Sequence, residues 1–468
     1  MLHSPTRSPL TRGLALCAAV TLGVGTLGAS APSTQGADQS AEAGQGPKNV
    51  IYLIGDGMGY NHVGATNLYE SGQTRHQLDG DADPETLEEI PGEAVQSYED
   101  WDLLGLSTYA AGGEYDPEAA WSDHDWVNSG ATDSAAAGTA MASGEKTRNG
   151  MLGVDPDGQP LENLSERAVE TGRSAGVVSS VPFSHATPAA WAAHNESRNN
   201  YHEIAEEMID SDLDVIFGAG HPYYDDDNKK LKDPDFNYIG EEDYNRLSGD
   251  ETEFEFSDSD ADFAKYARGQ AHHLPERAFG IAQVASTLQY GRSGDSEVPH
   301  DVQPNNVTDL PTMSRAALNI LDQNEDGFHL MIEGGAIDWA GHGNDTARDI
   351  EEVQDFNDAV DATIEWVETE SSWEETLVIV TSDHETGYLS GPDDQPGFSP
   401  MTGEAGALPD VGWYSGGHTN QLVPFYFRGA GSEAFFEEIV GTDPVRGEYV
   451  DNTVVADVLM DGFWALED

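Results

Sequence analysis

Six short apolar segments, each running into a polar or glycine-rich stretch, limit what this chain can fold into. They are Asn49 to Ile54, Gly176 to Ser180, Asp214 to Gly218, Phe328 to Ile332, Leu377 to Thr381 and Val423 to Phe427. Runs this apolar and β-rich suit strands buried on both faces, as in a mostly parallel sheet. Between the fourth and fifth runs, Ile350, Val353, Val360, Ile364 and Val367 recur at helical spacing, with acidic residues expected on the opposite face. Strands alternating with helices predict an α/β fold, a three-layer α/β/α sandwich around a mostly parallel central sheet. A single domain is expected over residues 48–468, with acidic surface insertions near 73–125, 223–270 and 391–417.

The first residues read as an address. Arg7 and Arg12 precede an apolar run from Leu14 to Leu27, and Ala29-Ser30-Ala31 offers a cleavage site. Residues 1–31 are therefore expected to be a removed signal peptide and 32–47 a flexible leader, giving a periplasmic or secreted protein. Cys17 is the only cysteine and leaves with the signal. The mature chain then has no disulfide or thiolate to offer, and any metal must be held by oxygen and imidazole. The 86 Asp and Glu against 21 Lys and Arg give a formal net charge of -65. Such a field repels nucleic acid and anionic membranes. Disorder is the usual companion of high charge, but 9% aromatic residues and repeated apolar runs speak for a folded core. A carboxylate-covered surface on an exported protein fits a salt-rich surrounding.

Ligands in open α/β sheets collect beyond the carboxyl ends of strands. There the sequence places Asp56, Glu333 and Asp383-His384. Asp338 and His342 stand four apart, on one face if helical, and His418 follows two glycines. Singly, each residue is more often a cap or a turn group; jointly, carboxylates and imidazoles without sulfur suit zinc and magnesium. Ser134 opens an alanine-rich stretch after Thr132-Asp133. From that segment alone, helix capping is the commoner explanation, yet the same helix start favours a phosphate or an alkoxide. Asp322, Asn324, Asp326, Gly327 and Glu333 match the spacing of a calcium loop, but a strand follows where a second helix is required, so a polar helix-to-strand turn is expected. Asp225-Asp226-Asp227 reads as a solvated loop and His272-His273 as a surface pair.

These pieces, in this order, resemble the alkaline phosphatase family over nearly the whole mature chain. The resemblance rests on Gly55-Asp56-Gly57-Met58-Gly59, Thr132-Asp133-Ser134-Ala135, His185-Ala186-Thr187-Pro188-Ala189-Ala190, Ser197-Arg198, Glu333-Gly334-Gly335-Ala336-Ile337-Asp338, Asp383-His384-Glu385-Thr386-Gly387 and Gly417-His418-Thr419. It implies hydrolysis of small phosphate monoesters to inorganic phosphate, two zinc ions and one magnesium ion per subunit, and a homodimer. One zinc would use Asp338, His342 and His418; the second, Asp56, Asp383, His384 and the Ser134 oxygen. Magnesium would use Asp56, Thr187 and Glu333, with His185 acting through water. Ser134 is the implied nucleophile, Arg198 the grip on phosphoryl oxygens and Asp133 its orienter. Two positions depart from the best-known bacterial pattern. His185 stands where Asp is frequent, which would let the third site accept zinc, and Trp339 stands where Lys or His is common, which would loosen product phosphate.

Related metal-dependent phosphodiesterases, sulfatases and phosphoglycerate mutases share the expected architecture, and an idle phosphate- or cation-binding surface protein is the alternative from another class. The charge makes one expectation measurable. The melting temperature should rise between dilute buffer and ~1 M salt, where the Debye length is roughly 3 Å; an unchanged value would remove the salt-adapted reading.

Overall fold

The computed structural model describes residues 46–249, 251–269, 274–392 and 397–466. The expected signal peptide, nearly all of the leader, Cys17 and His272-His273 lie outside the described residues. An eleven-stranded sheet forms the centre. Its strands, in chain order, are β1 (Asn49–Gly55), β2 (Asp102–Ser107), β3 (Ser174–Pro182), β4 (Val215–Ala219), β5 (Glu255–Ser257), β6 (Ala278–Ile281), β7 (Phe328–Gly334), β8 (Thr376–Thr381), β9 (Val423–Gly429), β10 (Gly441–Asp443) and β11 (Gly447–Asp451). They lie in the order β10-β11-β2-β9-β8-β1-β7-β3-β4-β6-β5. Parallel pairing runs unbroken from β8 to β5, while β9 enters antiparallel between β8 and β2.

Burial on both faces explains why β1 is apolar throughout. Val50, Tyr52 and Ile54 enter one core and Ile51 and Leu53 the other, each fully buried. Each such aliphatic side chain contributes roughly 1.5–3 kcal/mol when withdrawn from water. The first core is closed by helices including α1 (Ser134–Ser143) and α2 (Ala186–Ala190); the second by α3 (Leu310–Leu321), α4 (Ala336–Gly343) and α5 (Thr346–Glu370). The sandwich is thus a layered α/β/α fold. In α5 the apolar stripe holds, with Ile350, Val353, Val360 and Val367 all buried. Its acidic face differs from expectation, because Asp349, Glu351 and Glu352 are also buried. Arg292 and Arg348 reach Glu351 at 2.6 and 3.2 Å, whereas burial pushes Glu352 up to about 8 and raises Asp349 well above its ordinary range, favouring their neutral forms.

Two expected surface insertions carry sheet strands. β2 lies within 73–125 and β5 within 223–270. The first is half-masked in sequence because Asp102 begins it and only its later residues are buried. The third stretch supplies Gly412–Trp413, which pairs with Leu389–Ser390. The calcium-like spacing is a turn between α3 and β7, with Asn324 accepting from the Asp326 amide and donating to the Gly172 carbonyl. Among the described residues, no helix is long and apolar enough to cross a membrane.

Candidate active site

Four adjacent parallel strands deliver one row of residues to the same edge. Thr381 of β8, Ile54 of β1, Glu333 of β7 and Ser179 of β3 stand abreast in register. Asp56 and Asp383-His384 emerge just beyond that row, and α4 follows β7 to bring Asp338 and His342 over it. The turn after β1 must approach α4 closely. Gly57 has φ +77°, and a Cβ there would come within 2.8 Å of the Asp338 Cα, so glycine is required on both counts.

Three imidazoles converge at this edge, and each is tied back through Nδ1. His342 Nδ1 donates to the Gly416 carbonyl at 2.8 Å, His418 Nδ1 to the Thr132 carbonyl at 2.7 Å, and His384 Nδ1 to the Thr386 hydroxyl at 3.2 Å. With Nδ1 holding a proton in this way, all three would offer Nε2 as the lone pair to a bound ion, the arrangement metal-binding histidines use; without an ion, Asp338 favours a proton on His418. His342 Nε2, His418 Nε2 and Asp338 Oδ1 stand 3.2–3.4 Å apart. Around His384 Nε2 lie Asp383 Oδ2 at 3.2 Å, Ser134 Oγ at 3.3 Å and Asp56 Oδ1 at 3.6 Å. Ligands ~2.0–2.1 Å from a shared tetrahedral ion stand roughly 3.3–3.4 Å apart, so both clusters have the spacing of zinc donors. The two sets touch, since the His384 and His418 rings stack with centroids 3.6 Å apart, and a ring nitrogen of His384 lies within 4.8 Å of ligand atoms of Asp338 and His418.

A third group gathers beside the second. Thr187 Oγ1, in the short helix α2, donates to Asp56 Oδ2 at 3.3 Å, and Glu333 is held by the Ser179 hydroxyl. Asp56 Oδ1, Asp383 Oδ2, Glu333 Oε1 and His185 Nδ1 are buried without a hydrogen-bond partner. Buried polar atoms rarely stay unpaired, and bound cations would satisfy these oxygens. Electrostatics agree. Burial, then the neighbouring carboxylates, raise Asp56 well above its ordinary value, and burial pushes Glu333 and Asp383 each up to about 7. Burial also opposes charge on Asp338, but hydrogen bonding and attraction from His418, with His384 and His342, outweigh it and hold that group far below the usual carboxylate range. Burial lowers His185 to about 3, with Arg198 adding to the effect.

Ser134 begins helix α1, with Asp133 as its cap. Asp133 Oδ1 accepts from the Ala136 amide at 3.0 Å, while Oδ2 accepts from the Gly150 amide at 3.0 Å and from Arg198 Nη1 at 3.1 Å. One carboxylate thus ends the helix, capping it for about 1 kcal/mol, and aims the guanidinium. Burial works against the Arg198 charge, and Asp133 more than offsets it. Ser134, His185, Arg198, Asp338, Trp339, His342 and His418 face a cleft of about 670 Å³, together with Tyr290 and Gly343. Another cleft, of about 570 Å³ beside Glu166, Glu207 and Leu213, contains none of the clustered donors.

The model of the alkaline phosphatase family matches residues 47–409, most of the chain. The chain belongs to the alkaline phosphatase family. Alkaline phosphatase 4 of Bacillus subtilis is 32% identical over 348 residues, which span 73% of this chain and 62% of that protein. Alkaline phosphatase 3 of the same organism is 27% identical across 86% of this chain and 88% of its own length. The solved cold-active alkaline phosphatase of Shewanella sp. superposes with a TM-score of 0.62 at 25% identity, covering 88% of this chain and 99% of that one. The Thermus thermophilus enzyme shares the fold at a TM-score of 0.61 and 20% identity, over 92% of this chain and 95% of that one. Alkaline phosphatases are a metal-dependent family, and the donor chemistry of this edge fits that dependence.

Ser179, Tyr290 and the role of Thr386 escaped the sequence reading. Thr386 Oγ1 donates to Asp338 Oδ1 at 2.6 Å while accepting from His384, so one hydroxyl braces both donor sets. Its only signal in sequence is a hydroxyl two positions after His384. Thr386→Val should weaken zinc binding about 10- to 100-fold in competition with a chromophoric chelator, as loss of such supporting bonds generally does. Thr386→Ser should restore it.

Metal-free protein should also show a distinctive pH dependence. Glu333 and Asp383 are raised to about 7, and His418 to about 9 because Asp338 outweighs its burial. Raised groups stabilise the fold below their unfolded values and lose that contribution as pH climbs through the folded ones. The chelated protein should therefore lose denaturant stability from about pH 4 to pH 7 through the two carboxyls and on to pH 9 through His418, and added zinc should remove most of the decline.

Proposed function

We propose that this chain is an alkaline phosphatase in activity as well as family. It hydrolyses small phosphate monoesters through a phosphoserine at Ser134, with two zinc ions and one magnesium ion. The observation that carries this reading is the convergence of three tied-back imidazoles and the Asp338 and Asp383 carboxylates beside a serine at a helix start. His342, Asp338 and His418 would hold one zinc; Asp56, Asp383 and His384 the other; Asp56, Thr187 and Glu333 the magnesium, with His185 nearby. When bound, the ions cancel the negative charge of the ester and favour alkoxide character on the attacking and departing oxygens.

The remaining work belongs to side chains. Ser134 Oγ attacks phosphorus in line with the ester oxygen, and the backbone N–H groups at the start of α1 favour the negative charge that gathers there. Arg198 spans two non-bridging oxygens with its planar fork, held at the required angle by Asp133. Water then displaces Ser134, so two inversions at phosphorus leave its configuration retained. Trp339 puts an uncharged ring where a lysine would hold the product by charge, which favours faster release of phosphate. Contacts centred on the phosphoryl group leave the alcohol loosely specified, hence a broad substrate range. The basic and then apolar start of the chain supports export to the periplasm or beyond.

The test is chelator-sensitive hydrolysis of p-nitrophenyl phosphate at alkaline pH, paired with acid quench of a labelled donor. Ser134→Ala should lose the acid-stable phosphoenzyme entirely. Label appearing at another residue of the wild-type protein would overturn the assignment.

A further inference from the structure

Past the reacting centre, the surface continues behind Trp339. This side chain faces the catalytic cleft and also a second cavity of about 360 Å³. Tyr224, Tyr238 and His221 also line that cavity, together with Asp226, Asp235 and Asn237. Each ring is braced by a neighbour. Trp339 packs edge-on to His185 with centroids 5.7 Å apart, Tyr238 to Tyr201 at 5.1 Å, and Tyr224 to His221 at 4.8 Å. Rings already held in place give up little freedom when a flat ligand stacks on them. Asp226 is fixed as well, its Oδ1 accepting from the Ser286 amide at 2.8 Å and the Ser286 hydroxyl at 2.6 Å.

The lining decides what fits. It offers aromatic faces and carboxylate acceptors, and no Lys or Arg is among its residues. The nearby Lys229 is paired with Asp227 at 2.8 Å. An alcohol carrying a second phosphate would meet Asp225, Asp226 and Asp235. A neutral ring system with hydroxyl and amino donors would stack and donate. Trp339 lines both cavities, so a leaving group long enough to pass it, as a nucleoside is, gains access to the second, which a two-carbon alcohol is too short to do. We propose that this cavity is a leaving-group subsite that favours nucleoside monophosphates over small aliphatic phosphate esters. The proposal rests on the phosphatase reading of the Ser134 centre and adds a preference to it.

The experiment compares kcat/KM for AMP, ethyl phosphate and phosphocholine on the metal-loaded enzyme at one fixed salt concentration. Wild type should favour AMP over ethyl phosphate by about tenfold or more, and the Tyr224→Ala, Tyr238→Ala double variant should erase most of that advantage, as losing a base–aromatic stack does. Adenosine alone should compete with ethyl phosphate in wild type and lose that inhibition in the double variant. Asp235→Ala, at an exposed position that leaves folding undisturbed, should cut the AMP advantage about fivefold through a lost hydrogen bond. A ratio of AMP to ethyl phosphate that is the same in all three proteins overturns the subsite while leaving the phosphatase reading intact. So does a loss confined to phosphocholine, which would mark a cation cage instead. Failure to hydrolyse any of the three esters overturns the reading of the centre, and the subsite with it.

Discussion

Negative charge packed out of reach of water is the constraint on which the rest of this structure depends. Asp56, Glu333, Asp338 and Asp383 are all buried at one edge of the sheet, with Arg198 the cation that lowers Asp56. Left alone, such a group either takes up protons or opens the fold, because ionised carboxylates in a low-dielectric surrounding repel and go unsolvated. Divalent cations, on which the alkaline phosphatase family depends, would resolve the conflict in a third way. The same unpaired oxygens that burden the metal-free fold would serve as ligands to such ions, beside imidazoles that suit zinc.

The fold holds this charge with rigid parts. Register across four parallel strands sets the depth of the row, so Asp56, Glu333 and Asp383 cannot slide relative to one another without breaking the ladder. Helices contribute at their starts and along one face: Ser134 at the first position of α1, Asp338 and His342 one turn apart on α4. Loops add the final constraint through backbone carbonyls of Thr132 and Gly416, which orient two imidazoles. Thr386 joins the two donor sets, and its amide also donates to the Gly57 carbonyl at 3.0 Å, tying the turn that carries Asp56 to the same point. Precision here comes from elements distant in sequence meeting over one edge.

That division explains what could be read in the sequence. Six of the strands were legible because burial on both faces leaves an uninterrupted apolar run, and Asp56, Glu333 and Asp383 after three of those runs marked the edge. β2 was not, since its first residue is an exposed aspartate and it sits in an acid-rich stretch. β5, β10 and β11 are short and partly exposed, so their pattern carries little of the periodicity that betrays a strand. Donor residues were legible as types at strand ends. Their supports were not: Ser179, Thr386 and the two carbonyls act through tertiary contacts that no local spacing encodes. The buried acids of α5 were misplaced for a related reason. Helical periodicity assigns Asp349 and Glu352 to a polar face, and only the packing of His62 beside Asp349, 3.7 Å from its carboxylate, shows that this face is covered.

Two kinds of acidity therefore coexist in one chain and answer to different agents. Surface carboxylates dominate the net charge of -65, and mobile ions screen them within roughly 3 Å at molar salt. Carboxylates at the sheet edge are buried, where mobile ions screen far less, so their charge would be set by protons and by divalent metal held there. Salt should then govern the stability of the shell and the approach of anionic esters, whose arrival the acidic field slows. Salt should act less on the charges at the sheet edge itself, which are close together and buried. Charge at the surface and charge at the sheet edge are for that reason separable problems, posed by the same residue types at different depths.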